Sequence, residues 1–209
     1  MKSLPNLLTG ARLVLCLLMF AALMLVAGAI PGLHPAPVRM GSDLVAFAFV
    51  AFVVAAVTDF LDGWLARKYG VESTLGAILD PIADKILVCG AIIGLLALGA
   101  RDLALPGGLI LFREFSVSAL REVLAPRGLK LPVTFLAKTK TTVQLVALAA
   151  YLGMPLLASV IMRGGGIEAM AAFRNIMTAV LVLLWIAAAI SVWTGIEYAL
   201  AARRALAKA

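Results

Sequence analysis

The chain has 209 residues, of which 64% are hydrophobic and only 14% charged, with a mean hydropathy of +1.09. A soluble domain carries about 25% charged residues, so this composition excludes one and describes a polytopic membrane protein. The formal net charge of +7 has no soluble basic module to carry it, which excludes a nucleic-acid-binding domain.

The first apolar run, residues 7–29, is long and is expected to be a retained helix. A Pro-rich loop follows, His34-Pro35-Ala36-Pro37, and it holds the only histidine of the chain. A His-based metal site or triad is therefore not expected. Further runs of spanning length fall at 44–67, 76–99, 105–125, 134–162 and 174–201, allowing ~1.5 Å of rise per residue. Cys16 and Cys89 both lie inside apolar runs and read as small core residues, not as a disulfide. No linker or low-complexity tract divides residues 1–209, which are expected to form a single domain. Nor is there an internal repeat, the usual sequence mark of an inverted-repeat transporter.

Six crossings put both termini on one side. Twelve Lys and Arg residues fall on that side, from Lys2 and Arg12 through Arg67, Lys68 and the loop around Arg127 to Arg203, Arg204 and Lys208. The other side has four, Arg39, Arg101, Arg163 and Arg174. Positive charge accumulates on cytoplasmic loops, so the termini and the loop 68–75 are expected to be cytoplasmic. The same charge offers a surface to the anionic head groups of membrane lipids.

Four carboxylates interrupt the apolar pattern within 26 residues: Asp59, Asp62, Asp80 and Asp84. An ionised side chain at bilayer depth costs at least ~2.5–3.5 kcal/mol, so such a cluster marks a functional site and must be compensated. Asp59 and Asp62 share a helix face at spacing i, i+3, and Asp80 and Asp84 share one at i, i+4. Folding the second and third helices antiparallel about residues 71–72 brings the four together, roughly 10–20 Å below the cytoplasmic ends. Two divalent cations, Mg²⁺ or Mn²⁺, suit such a set of hard oxygen ligands. Gly63, Ala66 and Gly76 lie one turn from these aspartates and leave room between the helices for a bulky polar ligand. Arg67 offers a fixed fork of donors suited to a phosphate. Pro81 removes one helical hydrogen bond between Asp80 and Asp84 and is expected to kink the third helix.

The stretch from Asp59 to Asp84 reads Asp-x2-Asp-Gly-x2-Ala-Arg-x8-Gly-x3-Asp-x3-Asp. It resembles, at all eight fixed positions, the signature of the CDP-alcohol phosphotransferases. The resemblance implies six transmembrane helices around a cytosol-facing polar cavity open sideways to lipid. It implies that Asp59, Asp62 and Asp80 hold two divalent cations, and that Asp84 is the general base and a further metal contact. Gly63, Ala66, Arg67 and Gly76 would cradle the CDP moiety. It also implies a homodimer, in the inner membrane of a bacterium.

Three further stretches resemble the branch of the family whose donor is CDP-diacylglycerol and whose acceptor is sn-glycerol-3-phosphate. They are residues 5–12, Arg113-Glu114-Phe115 with Arg121-Glu122, and residues 138–144. A dianionic acceptor needs fixed cations, and Arg113, Lys138 and Lys140 are the expected acceptor phosphate ligands. Ser3, Asn6 and Thr9 read as helix-start residues. Rival readings are a sister enzyme using inositol phosphate, or one using phosphatidylglycerol to give cardiolipin. A divalent-cation transporter is disfavoured because the aspartates occupy one half of one hairpin and do not continue to the far side.

Overall fold

A computed structural model of the chain describes residues 3–69, 74–128 and 135–207, with side chains described within 9–60, 79–126 and 139–207. Six long helices carry the described chain: α1 Ser3–Val26, α2 Val38–Tyr69, α3 Thr74–Ala97, α4 Ala104–Leu124, α5 Phe135–Ile161 and α6 Gly166–Leu206. Each apolar run of the sequence falls on one of them. Two helices begin well before their runs, α2 at Val38 and α6 at Gly166. There Arg39, Asp43 and Glu168 interrupt the apolar pattern without interrupting the helix. At ~1.5 Å per residue α6 is ~60 Å long, about twice the thickness of a bilayer core.

Among the described residues, five of these helices are long and apolar enough to cross a membrane. Helix α3 carries Asp80, Asp84 and Lys85 in its first half, and this charge separates it from the others. It runs as one helix through Pro81, and α5 does the same through Pro155. The outward surface is apolar, with Val14, Leu17, Phe112 and Trp193 more than half exposed. On a soluble protein such a surface would be a liability, whereas in lipid it faces its own solvent.

Among the described residues, α1 packs extensively on both α2 and α3, which touch each other much less. The first helix is thus the partner that the second and third share. On the other side of the molecule α6 packs on both α4 and α5, and α2 against α5 joins the two groups. Met19, Leu23, Phe52, Ile92, Ile110 and Leu148 are fully buried between them.

The approach of α1 to α3 depends on two small residues one turn apart, Gly90 and Gly94. A Cβ on Gly94 would stand 2.4 Å from Leu23 Cδ1, and one on Gly90 would stand 3.2 Å from Met19 Cε. Small residues at i and i+4 let helix backbones come close in a membrane, where packing replaces the hydrophobic drive. This seam sets the depth of α1 against α3, and with it the height of Thr9 and Arg12 beside the aspartates.

Candidate active site

Two polar clusters occupy the same end of the bundle, the one formed by the starts of α1, α3 and α5 and the ends of α2, α4 and α6. In the first, Arg12 of α1 is almost wholly buried and gathers carboxylates from two other helices. Its Nη1 forms an ion pair with Asp59 Oδ1 of α2 and lies 3.6 Å from Asp84 Oδ1 of α3, while its Nη2 lies 3.8 Å from Asp80 Oδ1. Thr9, one turn before Arg12, donates its hydroxyl to Asp80 Oδ1 at 2.9 Å. Asp59 and Asp84 each lie ten residues inside their helices, ~15 Å from the helix end.

Three of the four carboxylates therefore converge, but by way of α1. The sequence alone predicts α2 directly against α3, with Arg12 among the orientation charges. Thr9 was read as a helix-start residue, yet it is the seventh residue of α1 and buried, far from any cap. Its hydroxyl serves Asp80 instead.

The guanidinium lies on the inner side of the cluster. The outer sides remain open, with the side chains of Asp59, Asp80 and Asp84 32%, 46% and 49% exposed. Carboxylate oxygens with open faces are the hard donors that Mg²⁺ or Mn²⁺ takes, and their chemistry fits such a cation. Among the described residues no three His, Cys, Asp or Glu side chains stand close enough to hold an ion by themselves. The fourth member of the motif, Asp62, lies on α2 with its side chain outside the described residues. The same holds for Gly63, Ala66 and Arg67 on the last turns of α2, and for Gly76 at the start of α3.

The second cluster joins α4, α5 and α6. Lys140 of α5 is buried and forms an ion pair with Glu114 Oε1 of α4. Arg113 is buried as well, with its Nη1 3.6 Å from Glu114 Oε2. Burying a cation in a membrane costs free energy unless it is paired, and one carboxylate here serves two cations. Net positive charge remains, as an anion site needs. Arg121, on the last turn of α4, donates to the hydroxyl of the buried Tyr198 on α6 at 3.3 Å. Of the expected acceptor ligands, Arg113 and Lys140 are thus brought together, and Lys138 lies outside the described side chains.

At the opposite end, a cavity of about 320 Å³ is lined by Leu95, Tyr151, Met154, Phe173 and Met177 among others. Tyr151 donates to Asp102 there at 2.5 Å. None of the candidate site residues lines it.

A family model described as CDP-alcohol phosphatidyltransferase matches residues 2–196. A protein of Cereibacter sphaeroides is 52% identical over 105 residues, which cover 49% of this chain and 48% of that protein. One of Rickettsia typhi is 39% identical over 202 residues, 95% of this chain and 96% of the relative. One of Escherichia coli K12 is 36% identical over 159 residues, 75% of this chain and 78% of the relative. All three relatives are named CDP-diacylglycerol–glycerol-3-phosphate 3-phosphatidyltransferase.

Proposed function

The chain belongs to the CDP-alcohol phosphatidyltransferase family, and we propose accordingly that it moves the phosphatidyl group from CDP-diacylglycerol to sn-glycerol-3-phosphate. The products are phosphatidylglycerophosphate and CMP, in the making of anionic phospholipid. The observation that carries this reading is the meeting of Asp59, Asp80 and Asp84 around Arg12, inside the stretch that matches the family.

Asp59, Asp62, Asp80 and Asp84 would hold two divalent cations, Mg²⁺ or Mn²⁺, which when bound would supply neutralising charge to the pyrophosphate. Gly63, Ala66 and Gly76 leave room for the CDP moiety, and Arg67 binds its pyrophosphate. Arg113, Lys138 and Lys140 hold the phosphate of the acceptor and so orient its primary hydroxyl. Asp84 takes the proton from that hydroxyl. The oxygen then forms a bond to the phosphorus that bears diacylglycerol, and the bond from that phosphorus to the CMP oxygen breaks. None of the eight fixed positions of the motif is a Ser, Cys or His that could form a covalent intermediate, which favours one in-line displacement.

A radiochemical assay of the purified protein with CDP-diacylglycerol and a panel of alcohols tests the acceptor. Glycerol-3-phosphate is expected to be turned over in preference to inositol phosphate and phosphatidylglycerol. Arg113→Ala is expected to raise KM for glycerol-3-phosphate roughly ten- to hundredfold, and Arg67→Ala to act on CDP-diacylglycerol instead. Unchanged saturation by glycerol-3-phosphate in Arg113→Ala would move the acceptor pocket elsewhere.

The site faces the cytoplasm in this reading, with six crossings and both termini inside, a reading that the Lys and Arg asymmetry supports. The working form is a homodimer, as the family resemblance implies. In a background lacking Cys16 and Cys89, Glu72→Cys is expected to be shielded from an impermeant thiol reagent on intact cells. Pro37→Cys is expected to react. The reverse labelling would overturn the orientation.

A further inference from the structure

Helix α6 makes contacts to the second cluster that involve no charge of its own. The ring of Tyr198 lies within reach of two guanidinium groups, with Arg113 Cζ 5.6 Å and Arg121 Cζ 5.4 Å from its centroid. One turn earlier on the same face stands Gly195. A Cβ there would be 3.0 Å from Arg113 Cγ and 3.8 Å from its Cβ, so the aliphatic stem of Arg113 rests on the bare backbone of α6. Arg113 is otherwise weakly held. Its buried Nε has no hydrogen-bond partner among the described residues, and the 3.6 Å separation of Nη1 from Glu114 is longer than a hydrogen bond. Lys140 takes the other oxygen of Glu114.

A guanidinium fixed by hydrogen bonds spends its donors on the protein. One fixed by a ring face and a close backbone keeps them. We infer that Gly195 and Tyr198 are positioning residues for the acceptor, seating the stem and the guanidinium of Arg113 so that its donors serve the phosphate of glycerol-3-phosphate. The inference rests on the assignment of Arg113 to the acceptor. It makes α6, which contributes nothing to the aspartate signature, the element that sets acceptor affinity.

The test measures steady-state kinetics of the purified full-length enzyme, with each substrate varied at saturating levels of the other. Tyr198→Leu removes the ring and is expected to raise KM for glycerol-3-phosphate about tenfold, with KM for CDP-diacylglycerol within about twofold of the parent. Tyr198→Phe keeps the ring face, loses only the hydroxyl that accepts from Arg121, and is expected to stay within about threefold for both substrates. Gly195→Ala displaces the stem of Arg113 by a single methyl group and is expected to act on the same KM as Tyr198→Leu. It decides the matter if Tyr198→Leu does not fold. Equal effects on both substrates, or loss of kcat alone, would reduce Tyr198 and Gly195 to packing and overturn the inference. Arg113→Ala separates the two levels. If it leaves glycerol-3-phosphate saturation unchanged, the acceptor assignment itself fails. If it raises that KM while neither α6 variant does, only the role of α6 is lost.

Discussion

Replacing any one of Asp59, Asp62 or Asp80 by Asn is expected to reduce turnover by roughly 10²–10³-fold or more. The substitution is nearly isosteric, so it removes a charge, and with it the proposed metal donor, at little change in side-chain volume. Phosphoryl transfer depends on neutralising charge that builds on the phosphate oxygens, and a lost donor is felt in the transition state. For the same reason the parent enzyme is expected to be silent in EDTA and to recover with Mg²⁺ or Mn²⁺. Asp84→Asn belongs to the series but has a different signature. As the proposed proton acceptor it should depress kcat with little change in KM for either substrate. Asp43 serves as the control, since it lies near the start of α2 at the other end of the bundle, and Asp43→Asn should be neutral. Full turnover in excess EDTA would sink the metal assignment, whatever the variants do.

The second large effect concerns stability. Arg12→Gln would leave Asp59, Asp80 and Asp84 facing one another with no guanidinium among them. Removing one member of a buried ion pair costs ~3–5 kcal/mol, because the remaining charge stays desolvated. The lower end of that range, about 3 kcal/mol, applies here because the three carboxylates are a third to a half exposed. Thermal unfolding in detergent without divalent metal should show the loss as a lowered Tm. Millimolar Mg²⁺ should raise the Tm of Arg12→Gln more than that of the parent, since cations would then supply the charge that Arg12 no longer does. Adding Asp59→Asn to Arg12→Gln should recover part of the deficit, as expected for directly coupled partners. A metal-free Arg12→Gln protein that unfolds at the parent temperature would show that the guanidinium carries none of this compensation.

Much of this architecture is legible without coordinates. Apolar runs are a strong signal in a chain whose solvent is lipid, and each of the six long helices coincides with one. The boundaries were less readable, because Arg39 and Glu168 interrupt the apolar pattern without interrupting the helix. The aspartates were found because charge in an apolar context is conspicuous. Their counter-charge was missed for the converse reason: Arg12 near a chain terminus looks like any other cytoplasmic cation. Its partner Asp59 is 47 residues away, and hydropathy has no term for a contact between distant helices. One signal was present, the Gly90-x3-Gly94 pair on α3. It marks a helix seam, although nothing in the pattern says that α1 is the helix seated there. Tyr198 and Gly195 were out of reach on the same grounds, since one apolar-looking turn of α6 resembles every other.

The central place of α1 also bears on how the protein is made. Synthesis runs from the N-terminus, so Arg12 is made before α2 brings Asp59, and well before α3 brings Asp80 and Asp84. Each acidic helix arrives where a cation already waits, and no carboxylate has to rest in hydrocarbon alone. Moving α1 to the other end of the chain would keep every native contact available in the finished fold. It would also force three negative charges into the bilayer ahead of the group that neutralises them. The order of the helices is in this sense part of the site: the helix that carries the cation is translated before the two that it makes insertable.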